Sequence, residues 1–164
     1  MYESVRKLTG QDTVDSFDCG HPSLNQFLQR FALVNQKSNS AQTYVSCHSG
    51  CVAGFYSLAV GSVGPGAASQ RVIKGIPQHP VPVMILARLA VDQRHQRAGL
   101  GKALLKDALK RTAQAADIAG IRALLVHAKD EQAREWYLKW ELELSASDPL
   151  HLFLLVKDLI AIIR

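Results

Sequence analysis

No apolar run in the 164-residue sequence approaches the roughly 20 residues that a membrane-spanning helix needs. The first residues, Met1-Tyr2-Glu3-Ser4-Val5-Arg6-Lys7, lack the apolar core of a secretory signal. Both absences point to a cytoplasmic protein with no membrane role. Cysteine is scarce and odd in number: Cys19, Cys47 and Cys51. Cys47 and Cys51 flank His48-Ser49-Gly50, but a structural zinc site needs a full tetrahedral ligand set, and no second Cys/His pair accompanies these two. They read as reduced thiols on two strands joined by a hairpin turn, and no metal is expected. Internal repeats and low-complexity tracts are also missing.

What remains is an ordinary globular composition, 48% hydrophobic and 20% charged, of a length that suits a single domain over residues 1–164. The formal charge of +5 gives a modest bias toward polyanions such as nucleic acids.

Periodicity sets the element order. Tyr2 to Leu8 reads as a first strand. Ser23 is expected to cap a helix whose stripe runs through Leu24, Phe27, Leu28, Phe31 and Val34, spaced three and four apart. Thr43 to Cys47 and Val52 to Ser62 read as strands joined at Ser49-Gly50. Gly64 to Pro82 is too rich in glycine and proline for a long element, so it reads as a loop with at most one short helical turn. Arg71, Lys74 and His79 make it positive. Val83 to Val91 is a strand apolar on both faces except at Arg88, as a central strand would be. A helix from about Gly99 to Ala116 carries Leu100, Leu104, Ala108 and Thr112 on one stripe, widened by Leu105 and Leu109. A strand over Ile121 to His127 follows, then a helix over Asp130 to Trp140, a strand over Leu150 to Val156 and a short terminal helix. This order predicts a mixed α/β or α+β sheet flanked by helices.

The informative segment is Gln96-Arg97-Ala98-Gly99-Leu100-Gly101-Lys102, between the buried strand and the long helix. Glycines let backbone approach a ligand closely. The first amides of a helix lack intrahelical partners and converge on one spot, where the helix dipole favours an anion. Such a loop suits a phosphate or pyrophosphate, with Arg97 and Lys102 adding charge. It is not a Walker A loop, because Gln96 stands at the first glycine position and Ala103 replaces Ser/Thr; nor is it a dinucleotide fingerprint, because Leu104 replaces the third glycine. It does match Gln/Arg-x-x-Gly-x-Gly/Ala. The six residues alone also fit a glycine-rich turn before an ordinary helix.

From Ile85 onward the chain resembles the GNAT family of acyl-CoA-dependent N-acyltransferases. The likeness lies in the hydrophobic strand, the Gln96–Gly101 loop, the strand Ala123-Leu124-Leu125-Val126 and the run Ala133-Arg134-Glu135-Trp136-Tyr137. Asp18-Cys19-Gly20, Tyr56-Ser57-Leu58, Pro80-Val81-Pro82, Leu86 to Asp92 and Asp148-Pro149-Leu150 further resemble the GNAT toxins of bacterial toxin–antitoxin modules. The resemblance implies a GNAT-type mixed, mostly antiparallel central sheet flanked by helices. It also implies acetyl-CoA as co-substrate and acetylation of the α-amino group of aminoacyl-tRNA. A ribbon-helix-helix antitoxin and a homodimer are implied as partners.

Carried onto this sequence, the resemblance has Leu89, Ala90 and Val91 pair with the pantetheine arm. It has Gln96, Arg97, Ala98, Gly99, Leu100, Gly101 and Lys102 hold the pyrophosphate, and Tyr137 act near the thioester sulfur. Arg71, Lys74, Arg88 and Arg94 are candidates for tRNA contact. Arg88 either faces the cleft or pairs structurally, and Lys106, Lys110 and Arg111 suit a solvated helix face as well as phosphates. Relatives carry Tyr-x-x-x-Gly-Phe where this chain has Tyr137-Leu138-Lys139-Trp140-Glu141-Leu142, so the turn at Glu141 is either strained into the left-handed conformation of the usual glycine or remodelled. Two other readings stay open: a GNAT enzyme acting on a small amine or protein N-terminus, and a weakly catalytic CoA-fold protein acting through antitoxin binding.

Overall fold

The computed structural model describes residues 1–64, 66, 70–74 and 80–163. Its strands form one seven-stranded sheet in the order β1-β2-β3-β4-β5-β7-β6. These are β1 (Arg6–Lys7), β2 (Gln42–His48), β3 (Cys51–Val63), β4 (Val81–Val91), β5 (Ala123–His127), β6 (Glu143–Leu144) and β7 (His151–Leu155). β4 and β5 are parallel, whereas β1/β2, β2/β3, β5/β7 and β6/β7 are antiparallel. The helices are α1 (Pro22–Gln26), α2 (Ala32–Lys37), α3 (Gln70–Ile73), α4 (Leu100–Ile118), α5 (Glu131–Leu138) and α6 (Val156–Ile163). Pro65, Gly75, Pro77 and His79 of the expected loop lie outside the described residues. Within that stretch α3 is the short helical turn, and β4 starts at Val81, earlier than expected.

The chain divides into two units: residues 1–59 with 88–108, and residues 60–87 with 109–164. In the first, Leu8, Phe17, Leu24, Phe27, Val45, Phe55 and Ala90 are buried together. Burying each large apolar side chain stabilises by roughly 1.5–3 kcal/mol. Helices cover opposite faces of the sheet here. A Cβ on Gly54 would lie 2.8 Å from Leu104 Cδ1 and 3.2 Å from Leu100 Cδ2 of α4, so a larger residue there would force those leucines to shift. The next residue, Phe55, points the other way, into Phe17 and Phe27. The expected α4 stripe is buried throughout: Leu100, Leu104, Leu105, Ala108, Leu109 and Thr112.

The first helix departs from expectation. Its N-cap is His21, with Pro22 at the first helical position, where the ring fixes φ and the missing N–H costs nothing. A π-helical segment, Phe27–Phe31, separates α1 from α2. Its wider turn rotates the later residues out of the stripe, leaving Phe31 49% and Val34 62% exposed.

In the second unit, Val72, Val81, Val83, Ala123, Leu125, Phe153 and Leu155 are buried together. Arg122 satisfies the last carbonyls of α3, donating from Nε to Val72 O at 3.0 Å and from Nη2 to Lys74 O at 3.0 Å and Arg71 O at 3.3 Å. Asp130 caps α5 by accepting from Ala133 N at 2.8 Å. The helix ends at Leu138, so Trp140 lies in the turn beyond it. Cys47 and Cys51 sit on β2 and β3 beside the Ser49-Gly50 turn, and no metal-binding cluster occurs among the described residues. No helix of the described residues is long and apolar enough to cross a membrane.

Candidate active site

In the first unit, β4 leads through a 3-10 turn (Gln93–His95) into the loop that opens α4. Asp92 organises this passage from a buried position. Its carboxylate accepts from Asp18 N at 3.0 Å and Arg94 N at 2.9 Å. It also accepts from Arg94 Nε and Nη2, both at 3.0 Å. Burial alone would raise the pKa of Asp92, but the Arg94 guanidinium and the two amides outweigh it and hold the group down at about 2. Arg94 also donates to Ser16 O at 3.2 Å. The structure therefore places this tRNA candidate in an ion pair that shapes the loop, a role its position in the sequence does not reveal.

The loop that follows is held in an uncommon backbone shape. Arg97 has φ 66° and Gly99 φ 83°, both left-handed. Two left-handed residues one apart turn the chain sharply from the 3-10 turn into α4. A Cβ on Gly99 would meet nothing within 4 Å, so the space before the helix is open. The α4 ladder begins with Ala103 N to Gly99 O at 3.1 Å, and the amides of Leu100, Gly101 and Lys102 precede it. Gln96 turns its amide back, donating from Nε2 to Val91 O at 2.9 Å. Gln96, Arg97, Ala98 and Gly99 are exposed, whereas Leu100 is buried and anchors the helix. The mouth of α4 suits a diphosphate: amides ahead of the helical ladder, the positive end of a long helix, and the exposed residues Arg97 and Lys102 in the same segment.

Upstream, Leu89 and Val91 are partly exposed and Ala90 is buried. Arg88 lies with its Cζ 3.8 Å from the centre of the Phe27 ring. Of the alternatives for this residue, the ion pair is absent among the described residues, and burial lowers the arginine's pKa. Phe27, its platform, reads from the sequence only as part of the core stripe. A lone arginine in an apolar strand was the available signal.

In the second unit, Tyr137 is buried on α5, with the Trp136 ring edge-on at 5.0 Å. Burial pushes the phenol's pKa well up, so the hydroxyl stays protonated. No described residue hydrogen-bonds it, leaving a proton donor uncommitted. Glu141 adopts φ 69°, the left-handed conformation that a glycine would take. The turn is thus kept rather than remodelled, and Tyr137 stays one helical turn upstream of it. Arg71, another tRNA candidate, pairs with Glu143 and, at 2.8 Å, with Asp158, which ties α3 to β6 and α6. Lys74 is exposed at the end of α3, and Lys106 and Lys110 are exposed on α4.

Residues 5–141 match the model of the Acetyltransferase (GNAT) family. The chain is 47% identical to a tRNA-acetylating toxin of Mycobacterium tuberculosis over 99% of its own length and 97% of the relative's. Among solved structures, AtaT complexed with acetyl-methionyl-tRNAfMet is similar, at 26% identity and TM-score 0.89, over 98% of this chain and 99% of that one. The crystal structure of AtaTR bound with AcCoA is similar at 27% identity and TM-score 0.86, over 98% of each chain.

Proposed function

This chain belongs to the Acetyltransferase (GNAT) family, and from that premise we propose that it is a toxin that acetylates the α-amino group of aminoacyl-tRNA with acetyl-CoA, blocking translation. The observation that carries the reading is the likeness, over almost the full length of both chains, to a tRNA-acetylating toxin. The amide cradle at the mouth of α4 supports the cofactor half of the reading. The whole chain acts as one GNAT domain in the cytoplasm. It works as a homodimer and is neutralised by a ribbon-helix-helix antitoxin.

Acetyl-CoA, when bound, supplies an acyl group activated as a thioester. The chain's own residues account for the rest. Amides of Ala98 to Lys102 hold the diphosphate, with Arg97 and Lys102 beside it. The Leu89–Val91 edge of β4 orients the pantetheine arm as an added strand. An α-amine has a pKa near 7.7–8.0, against about 10.4 for a lysine side chain, so a large fraction is neutral at physiological pH. Such an amine needs little help from a general base. Tyr137 holds a proton on its hydroxyl for the departing thiolate, which is the harder half of the exchange.

The test is incubation with labelled acetyl-CoA and charged total tRNA. Label is expected on the aminoacyl ester; label confined to small amines or proteins would refute the assignment.

A further inference from the structure

Arg71, Lys74, Arg88 and Arg94 are the cations that the family resemblance offers to nucleic acid. Two of them are already engaged within the chain, Arg71 with Glu143 and Asp158 and Arg94 with Asp92. Arg88 differs from both. It is half-buried, yet no described residue offers its guanidinium a carboxylate or a hydrogen bond; its one recorded partner is the face of Phe27. A partly desolvated cation that meets no carboxylate or hydrogen-bond acceptor among the described residues gains from an anion that completes it. The Phe27 face holds the guanidinium carbon 3.8 Å above the ring centre and supplies no hydrogen-bond acceptor to its N–H groups. An arginine's N–H groups form a planar fork suited to two oxygens of one anion.

Strand alternation says which side that anion comes from. Ala90, two residues on, is buried with Phe27 and Phe55, so Arg88 and Ala90 project onto the face covered by α1 and the π-helical segment. The diphosphate cradle belongs to α4, which covers the opposite face at Gly54. Arg88 therefore stands across β4 from the cofactor's phosphates. On the acceptor, an aminoacyl ester carries no anion of its own. The anions nearest its α-amine are the backbone phosphates at the RNA's 3′ end.

We propose that Arg88, stacked on Phe27, receives a phosphate from the single-stranded 3′ end of the acceptor RNA and so positions the aminoacyl ester for transfer. This rests on the functional reading above and adds to it a residue that recognises polynucleotide rather than amine.

The experiment compares wild type, Arg88→Gln and Arg88→Lys in three measurements: acetylation of aminoacyl-tRNA, acetylation of an amino-acid methyl ester, and tRNA binding as a function of salt. For Arg88→Gln, kcat/KM on aminoacyl-tRNA is expected to fall about ten- to a hundredfold, the loss of a charge-assisted pair. Activity on the methyl ester should be unchanged. The slope of log affinity against log salt should fall by about 0.7, one single-strand phosphate. Arg88→Lys keeps the charge and so the slope, but loses the fork and the stacking, and should fall between the two in rate. Equal losses on both acceptors, or an unaltered salt slope in Arg88→Gln, would overturn the assignment. A wild type that acetylates the methyl ester but not aminoacyl-tRNA would overturn the functional reading instead, while the salt slope still decides whether Arg88 holds a phosphate.

Discussion

Gln96 donates its side-chain amide to the carbonyl of Val91 at 2.9 Å, closing the loop between the end of β4 and the start of α4. The bond joins the strand edge proposed for the pantetheine arm to the cradle proposed for the diphosphate. Gln96→Leu removes the donor from an exposed site, so the fold should melt within a degree or two of wild type. Affinity for acetyl-CoA should weaken by roughly three- to tenfold, the worth of about one neutral hydrogen bond. Titration calorimetry on the two proteins checks this.

Tyr137→Phe keeps the ring against Trp136 and deletes only the hydroxyl. Melting temperature and acetyl-CoA affinity should hold, while acetyl transfer falls by roughly a hundred- to ten-thousandfold. Because burial pushes the phenol's pKa above its ordinary value of 10.0, ionisation of this group should produce no falling limb in the wild-type pH–rate profile below about pH 10. Wild-type turnover in Tyr137→Phe would remove the residue from the mechanism.

Asp92 should contribute to the acid limb of the stability curve. Its folded pKa of about 2 lies below the ordinary 3.8. The folded state therefore holds fewer protons on this group, and its contribution is complete above about pH 4 and lost as pH falls through 2. The contribution is about 2 kcal/mol. Asp92→Asn should lower stability at neutral pH by a similar amount and flatten the curve between pH 4 and 2. Urea unfolding at pH 7, 4 and 2 measures both effects, and identical pH slopes in the two proteins would contradict the account.

Glu141 occupies a left-handed conformation, φ 69°, that costs a non-glycine residue roughly 1 kcal/mol or more. Glu141→Gly should relieve that cost and raise the melting temperature by about 2–4 °C for a chain of this length, without reducing acetyl transfer. Calorimetric scanning with a parallel activity assay reads both. A lower melting temperature would show that the Glu141 side chain contributes more than its backbone costs.

Local chemistry explains what was legible from sequence. The α4 stripe was readable because Leu100, Leu104, Ala108 and Thr112 keep one helical spacing against a flat sheet. The Cys47/Cys51 hairpin followed from Ser49-Gly50, whereas the sequence left a strained and a remodelled turn open at Glu141 and the backbone decides for the strained one. The first helix misled because nothing in Phe27-Leu28-Gln29-Arg30-Phe31 announces a π segment, and one wide turn was enough to bring Phe31 and Val34 to the surface. β6 is two residues long and takes its place from pairing with β7, so it had no periodicity to find. Arg71 and Arg94 looked like free surface cations because their partners, Glu143, Asp158 and the guanidinium-facing oxygens of Asp92, are set by tertiary geometry. Arg88 stood out because charge is rare in a central strand, but the Phe27 platform beneath it needed the fold.

The central claim is that amides at the mouth of α4 hold the diphosphate of acetyl-CoA. Titration calorimetry of the folded protein with acetyl-CoA and with S-acetylpantetheine, which carries the same thioester but no diphosphate, tests it directly. Acetyl-CoA should bind, and the truncated thioester should bind at least about a hundredfold more weakly, since several charge-assisted hydrogen bonds are lost together. Equal affinity for the two, or no binding of acetyl-CoA, would contradict it.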